Sequence, residues 1–429
     1  MENNKMCVIG LGYIGLPTAA VFANQGWQVT GVDVNSGVVD MLNKGKVHIK
    51  EIGLEKVLSK VIEKGSFSAK MVPEKADVFI IAVPTPHNSD LTADLNILKN
   101  AIRSIIPVIE KGNKIIVEST IPPRTMSDIV TPIIEESGFD TGKDIFLAYC
   151  PERVLPGRIL IELFKNNRIV GGTNTLAAKE AADVYRTFVE GKVIETSAES
   201  AEMAKLMENT FRDVNIALAN ELTKISEALD INALEVISLA NEHPRVNIHQ
   251  PGPGVGGHCL AVDPYFIIEK NPENAKVIAE SREVNESMPA FVVDQVKKLV
   301  SKTSKIAVFG LAYKGNIDDI RESPALKIVN HLYSEGYKVQ AYDPYVKQEQ
   351  VQFQLYNYEK ALRDADVMLI LTDHNEFKNI DWEETKCLMK QVNVLDTKNC
   401  VENVTENINY YNFGNLYELK AIKTSSPIY

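Results

Sequence analysis

The stretch Lys5-Met6-Cys7-Val8-Ile9-Gly10-Leu11-Gly12-Tyr13-Ile14-Gly15 decides the reading of this chain. Residues 5–10 form a short apolar run, as in a strand covered on both faces. The glycines at 10, 12 and 15 make a G-x-G-x-x-G turn. An apolar segment over 16–23 reads as a helix, Gly26 ends it, and residues 27–32 form a second strand that stops at Asp33. In such a unit the first glycine permits the tight turn. The second lets the backbone approach a pyrophosphate, and the third lets helix and strand pack closely. The helix N-terminus adds free N–H groups and partial positive charge. Asp33 stands about 20 residues past the turn, where a carboxylate accepts both ribose hydroxyls and repels a 2′-phosphate. The glycine motif alone is weak. Strand, turn, helix, strand and terminal acid together predict an NAD site rather than an NADP site.

The unit has an echo. Residues 305–310 repeat the first strand, and Leu311-Ala312-Tyr313-Lys314-Gly315 repeats the turn with alanine at its middle position. A helix over 324–334, Gly336 and a strand over 337–342 lead to Asp343. Residues 76–81 match 365–370, and 114–118 resemble 391–395. Apolar strands alternating with helices mean a parallel sheet with helices on both faces. Two doubly wound α/β domains therefore bracket the chain. Between them, residues 199–229 are free of Gly and Pro, 232–241 and 272–302 are also helix-compatible, and 243–264 is a Gly/Pro loop. This predicts an all-helical middle with a long connector helix. The expected segments are 1–196, 197–302 and 303–429. No pattern is read in the polar tail after about residue 403.

The length of 429 residues suits about three domains. Hydrophobic residues at 45% exclude a disordered chain, and no apolar run reaches membrane-spanning length. The first residues, Met1-Glu2-Asn3-Asn4-Lys5, lack a signal-peptide pattern. A net charge of −11 argues against nucleic acid or an anionic membrane as partner. The five cysteines (Cys7, Cys150, Cys259, Cys387 and Cys400) are scattered, with no CxxC pair or Cys/His ladder. The expectation is a reduced, cytoplasmic chain without a metal site.

Several stretches carry candidate chemistry. Pro84-Thr85-Pro86 and Ser119-Thr120 come just after the carboxyl ends of two strands, where open α/β sheets bind ligands. Taken singly, each reads as ordinary turn chemistry. Lys205, Asn209 and Arg212 share one helix face that turns apolar at Ile216 and Ala219. The stretch Pro251-Gly252-Pro253-Gly254-Val255-Gly256-Gly257-His258-Cys259 is the most unusual. Its glycines allow close approach to the backbone and leave the next side chains exposed, so Cys259 reads as a nucleophile rather than a buried thiol, with Asp263 four residues on. A thiolate there needs free N–H groups or a cation. Arg245, in His243-Pro244-Arg245, suits a phosphate.

Taken together, these motifs resemble the nucleotide-sugar 6-dehydrogenase family that contains UDP-glucose and GDP-mannose dehydrogenases. The carriers are Gly10 to Gly15, Pro84-Thr85-Pro86, Ser119-Thr120, Pro151-Glu152-Arg153, Lys205 with Asn209, Gly256-Gly257-His258-Cys259, and Gly310-Leu311-Ala312-Tyr313-Lys314 with Arg321-Glu322-Ser323-Pro324. The resemblance implies NAD-dependent, four-electron oxidation of a UDP-sugar at C6 through a thiohemiacetal and a thioester on Cys259. It assigns catalysis to Cys259, Lys205, Asn209, Asp263, Glu152 and Thr120. Gly10, Gly12, Tyr13, Ile14, Gly15, Asp33, Thr85, Thr120 and Arg321 would hold NAD. Arg153, Val154, Lys205, Asn209, Arg212, His243, Arg245, Gly256, Tyr313, Lys314 and Lys398 would contact the UDP-sugar. It also implies a homodimer through the connector helix. The UDP-glucose branch usually has Pro-Lys-Asp after the cysteine, whereas this chain has Ala261-Val262-Asp263. The stretches Cys150-Pro151-Glu152-Arg153-Val154-Leu155-Pro156-Gly157 and Asn241-Glu242-His243-Pro244-Arg245 are more similar to enzymes of UDP-N-acetyl-D-mannosamine, which make a uronic acid for surface polysaccharide. UDP-N-acetylglucosamine enzymes are the nearest alternative. A two-electron hydroxyacid dehydrogenase and a non-catalytic nucleotide sensor are the readings from further afield.

Overall fold

The computed structural model describes residues 4–155 and 157–420. Residues 1–3, Pro156 and residues 421–429, including the outer ends of the first and third expected segments, lie outside the described residues.

Eight strands build the first sheet: β1 (Lys5–Ile9), β2 (Gln28–Val32), β3 (Phe67–Lys70), β4 (Val78–Ile81), β5 (Lys114–Val117), β6 (Phe146–Tyr149), β7 (Arg168–Gly172) and β8 (Val193–Ser197). Their order is β3-β2-β1-β4-β5-β6-β7-β8. Every neighbouring pair is parallel except β6 with β7, where Tyr149 lies opposite Gly171 in an antiparallel pair. Met6 and Val8 face one apolar core while Cys7 and Ile9 face the other. That two-sided burial is why β1 reads as an unbroken apolar run. The strand order reverses between β1 and β4, so a crevice opens outside their carboxyl ends. Gly10 and the loop after β4 meet there.

The second sheet holds β9 (Lys305–Phe309), β10 (Lys338–Tyr342), β11 (Val367–Ile370), β12 (Asn393–Asp396) and β13 (Asn409–Asn412), all parallel, in the order β10-β9-β11-β12-β13. The sequence echo is a structural one. Lys5 pairs with Gln28 in the first sheet, and Lys305 pairs with Lys338 at the same register in the second. The tail without a readable pattern supplies β13. Its Asn-Tyr-Tyr-Asn segment has no apolar alternation and is fixed by side chains: Tyr410 donates to Asp396 at 2.9 Å and Asn409 to Asn393 at 3.0 Å.

The helical middle contains Ala198–Leu229, Ala233–Asn241 and Lys276–Leu299. Asn232 caps the second by accepting from the Glu235 N–H. The chain divides into two compact units. One holds residues up to Glu208 with Tyr265–Asn271, and the other holds Asn209–Pro264 with the residues from Pro272 onward. The division falls inside the long helix. Among the described residues, no helix is long and apolar enough to cross a membrane.

Candidate functional site

In the first unit the turn after β1 has the shape its glycines predict. Gly10 has φ +91°, and a Cβ there would lie 2.4 Å from the Ala82 carbonyl oxygen. A Cβ on Gly15 would lie 1.9 Å from the Gly10 oxygen. Gly12 differs: no heavy atom lies within 4 Å of where its Cβ would be. Gly10 and Gly15 are therefore glycine for the fold, and Gly12 leaves open space over the turn. No side chain caps the helix Gly15–Asn24, so its first N–H groups are not spent on a cap. Asp33 accepts from Leu11 N at 3.1 Å and Asn35 N at 2.9 Å, one bond to each oxygen, and is only partly buried. Each oxygen keeps a lone pair for a ribose hydroxyl. Open turn, uncapped helix and unsaturated acid fit NAD.

The second turn keeps the fold and loses those features. Ala312, at the place of Gly12, is buried, and its carbonyl accepts from Thr372. Asp343, at the place of Asp33, is buried and saturated. It accepts from the N–H groups of Leu311, Ala312, Tyr345 and Val346 and from His374 Nε2 at 3.0 Å. Asn316 N donates to His374 Nδ1 at 2.9 Å. The imidazole is therefore the tautomer that carries its proton on Nε2. The acid that stays unsaturated in the first unit has a counterpart here that clamps the loop carrying Tyr313 and Lys314.

The loops past β4 and β5 are tied together. Thr85 donates its hydroxyl to the Thr120 carbonyl at 2.6 Å, while Ser119 both accepts from and donates to the Val83 backbone. Just beyond, the buried Glu202 of the long helix accepts from Arg124 N at 2.6 Å and Met126 N at 2.8 Å. Burial raises its carboxyl to about 7, against the pull of those two N–H groups. This anchors the turn of helix next to Lys205. Glu152 is buried and paired with Arg168, and Arg153 pairs with Glu208.

In the second unit, Cys259 sits in a turn whose carbonyl accepts from Val262 N at 3.1 Å and Asp263 N at 2.8 Å. Asn209 reaches over from the long helix to hold Asp263 at 2.6 Å. The glycines before the cysteine press on the segment beyond the second turn. Gly257 N donates to Arg321 O at 3.0 Å, and a Cβ on Gly256 would lie 2.6 Å from the Tyr313 Cβ. Arg321, held by Asp319 at 2.6 Å, lies within electrostatic reach of Cys259. Lys398 Nζ stands 3.8 Å from where a Gly252 Cβ would be. Arg212, His243, Arg245 and Lys314 are exposed. Three of the other four cysteines suit nucleophilic work less well. Burial pushes the Cys7 thiol up to about 11 and the Cys150 thiol up to about 12, and Cys400 is raised further by burial and Asp396.

Sequence reasoning assigns no role to Glu118, Arg168, Glu202, Asp343 or His374. Glu118 and Arg168 have a readable signal, since each is a charge attached to a strand otherwise buried on both faces. Nothing in the local sequence marks His374.

The family models match along the chain: the NAD binding domain of the UDP-glucose/GDP-mannose dehydrogenase family over residues 4–189, its central domain over 199–287 and its UDP binding domain over 307–403. The UDP-N-acetyl-D-mannosamine dehydrogenase of Methanocaldococcus jannaschii is 50% identical over 404 residues, 92% of each chain. The Escherichia coli K12 enzyme of that name is 44% identical over 93% of this chain and 99% of its own. A solved structure of the UDP-N-acetyl-mannosamine dehydrogenase of Staphylococcus aureus is 54% identical, with a TM-score of 0.90 over 97% of this chain and all of that one. With the NAD turn, the cysteine turn and the altered second turn in place along its length, the chain belongs to the UDP-glucose/GDP-mannose dehydrogenase family and is an NAD-dependent UDP-sugar dehydrogenase, an oxidoreductase.

Proposed function

We propose that the chain oxidises UDP-N-acetyl-D-mannosamine at C6 to UDP-N-acetyl-D-mannosaminuronate, a sugar acid for polysaccharide synthesis. The observation that carries this reading is the activity in the names of relatives 44–50% identical over nearly the whole chain. The cysteine turn supports it: Ala261 and Val262 are buried where the UDP-glucose branch usually places Pro-Lys. On this reading residues 1–196 hold NAD, 197–302 carry the cysteine loop and 303–429 hold the UDP-sugar. NAD⁺ supplies a hydride acceptor, one electron pair per molecule, so a four-electron oxidation uses two. Gly10, Gly12, Tyr13, Ile14, Gly15, Asp33, Thr85, Thr120 and Arg321 would hold it. Arg153, Val154, Arg212, His243, Arg245, Gly256, Tyr313, Lys314 and Lys398 would orient the UDP-sugar.

Cys259 has the central role. Its thiolate adds to the C6 aldehyde, forming a C–S bond and placing negative charge on the former carbonyl oxygen. Lys205 and Asn209 stabilise that charge. The thiohemiacetal keeps one hydrogen on C6 and can be oxidised again, to a thioester. Water then attacks the thioester carbon, Glu152 or Asp263 takes the water's proton, and the C–S bond breaks with its electron pair on sulfur. We further propose a homodimer through the long helix.

Purified protein should form two NADH per UDP-N-acetyl-D-mannosamine consumed, and react more slowly with UDP-N-acetylglucosamine and UDP-glucose. A yield of one NADH would end the four-electron reading, and a preference for another sugar would end the substrate reading. Cys259→Ser should make no uronate; normal uronate formation by that variant would remove the thioester from the scheme.

A further inference from the structure

The glycine run before Cys259 has an anchor that the scheme above does not use. Residues 242–262 lie outside helix and strand, so their course depends on what grips them. In Pro251-Gly252-Pro253 the two prolines carry no N–H. Gly252 therefore holds the one backbone donor of the three, and all three residues are buried. A buried N–H needs an acceptor. Asn220 of the long helix supplies it, with Oδ1 accepting from Gly252 N at 2.9 Å.

Asn220 is itself held from behind. Its Nδ2 donates at 2.8 Å to Oδ1 of Asn285, which belongs to the helix Lys276–Leu299. Asn285 Nδ2 donates in turn to Asp213, to the backbone oxygen at 3.0 Å and to Oδ1 at 2.9 Å. Arg282 donates Nη1 to the same Oδ1 at 2.7 Å and Nη2 to Glu286 at 2.8 Å. Asp213, Asn220, Arg282 and Asn285 are each at most 2% exposed, and all belong to the second compact unit. The network runs in one direction. Asp213, paired with Arg282, offers only acceptors, so Asn285 must turn its NH₂ toward it and its oxygen toward Asn220. Asn220 must then give its NH₂ to Asn285 and its oxygen to Gly252. Turning over either amide would set oxygen against oxygen. A buried network with its donors and acceptors matched in this way is rigid.

The same helix touches the run again. A Cβ on Gly254 would lie 3.3 Å from the Asn285 carbonyl oxygen and 3.1 Å from the Pro324 Cβ. Farther on, Gly257 N donates to Arg321 O. The run is thus bonded at Gly252 and at Gly257, and Gly254 and Gly256 bring no side chain to hold it in between. Cys259 follows two residues after the second bond.

We propose that Asn220, backed by Asn285, Asp213 and Arg282, is a positioning residue for the reaction: it fixes Gly252 and so the course of the glycine run that presents Cys259. This rests on the reading of Cys259 given above.

The test combines steady-state kinetics with hydrogen–deuterium exchange read by mass spectrometry, both on the full-length protein. Across residues 251–253 only the Gly252 amide exchanges, so overlapping peptides that end on either side of them report its bond by itself. Asn220→Leu should lose protection at Gly252 while the helix Lys276–Leu299 exchanges as in the parent. With UDP-N-acetyl-D-mannosamine its kcat/KM should fall on the order of 100-fold, and KM for NAD⁺ should stay constant. Asn220→Asp keeps an acceptor for Gly252 in a side chain of the same shape and should recover part of kcat/KM. Because Asn220→Leu leaves the Asn285 oxygen unpaired, the double variant Asn220→Leu/Asn285→Leu is measured too. It removes both amides, so it should fold, yet it still deprives Gly252 of its acceptor and should stay slow. Val292→Ala, in the apolar core of the second unit, loses stability without touching the network and should keep the parent kcat/KM. If the folded double variant keeps Gly252 protected or turns over at the parent rate, Asn220 does not position the run. If Val292→Ala loses as much kcat/KM as Asn220→Leu, the effect is one of stability and the proposal falls. Uronate formation by Cys259→Ser would overturn the cysteine reading alone, because exchange at Gly252 is measured without substrate.

Discussion

At the scale of single residues, the turn after β1 separates glycines that the fold requires from one that leaves open space over the turn. Gly10→Ala and Gly15→Ala would drive a methyl group into backbone oxygen, at 2.4 Å and 1.9 Å. Each should lose on the order of 2–4 kcal/mol of stability, read by denaturant unfolding. Gly12→Ala meets no protein atom. It should unfold like the parent while its KM for NAD⁺ rises about tenfold, equivalent to about 1.4 kcal/mol. Normal NAD⁺ binding by Gly12→Ala would mean that the pyrophosphate lies elsewhere. Glu118 gives a second test. Its carboxyl is near 4.5 in the unfolded chain and raised by burial to about 7 in the fold. Between those values the folded state holds more protons, so stability falls as pH rises. Glu118→Gln lacks this slope. The melting temperature of the parent relative to that variant should therefore decline from pH 4.5 to 7 and then level off. A difference that stays constant across that window would place the titration on another group.

At the scale of elements, what the sequence reveals depends on whether a feature is carried by local pattern. The apolar runs of β1, β4, β9 and β11 announce themselves because both faces of each strand are buried. The turn at residues 10–15 does so because its glycines are sterically required. The antiparallel pairing of β7 and the presence of β13 do not. The first depends on which edge a strand adds to, and the second on side-chain bonds from Asp396 and Asn393 that no periodicity reports. The same holds within the site. Cys259 and Asp263 are legible because glycines and a short spacing frame them, and Asn209 because it shares a helix face with Lys205. His374 is brought to Asp343 by the return of the chain from β11, so its role exists only in the fold. That role is testable. Removing the ring in His374→Ala leaves the Asn316 N–H without its acceptor, which should cost about 1–3 kcal/mol and loosen the Tyr313-Lys314 loop. KM for the UDP-sugar should rise while KM for NAD⁺ stays constant, because Asp33 and Gly12 belong to the other turn. An equal rise in both would point to general loosening rather than to an effect of the Tyr313-Lys314 loop on the UDP-sugar.

At the scale of the whole molecule, the long helix carries a surface that the described residues leave exposed. Phe211, Leu218, Ile225 and Leu229 are 61%, 51%, 50% and 63% exposed. The first three recur every seven residues, a spacing that drifts by only about 20° per repeat on a straight helix. They therefore form one stripe rather than scattered exceptions. Single exposed leucines need no explanation, but a continuous row of large apolar side chains marks an interaction surface. An isologous pair of such helices would bury the stripe on both partners at once, the simplest way for one sequence to cover its own surface. Light scattering after size exclusion at micromolar concentration should give twice the chain mass for the parent. Leu218→Glu/Ile225→Glu places like charges across that seam and should give the single-chain mass with an unchanged helical spectrum. A parent that runs as a monomer would remove the dimer, and a double variant that stays dimeric would move the interface to another face of the molecule.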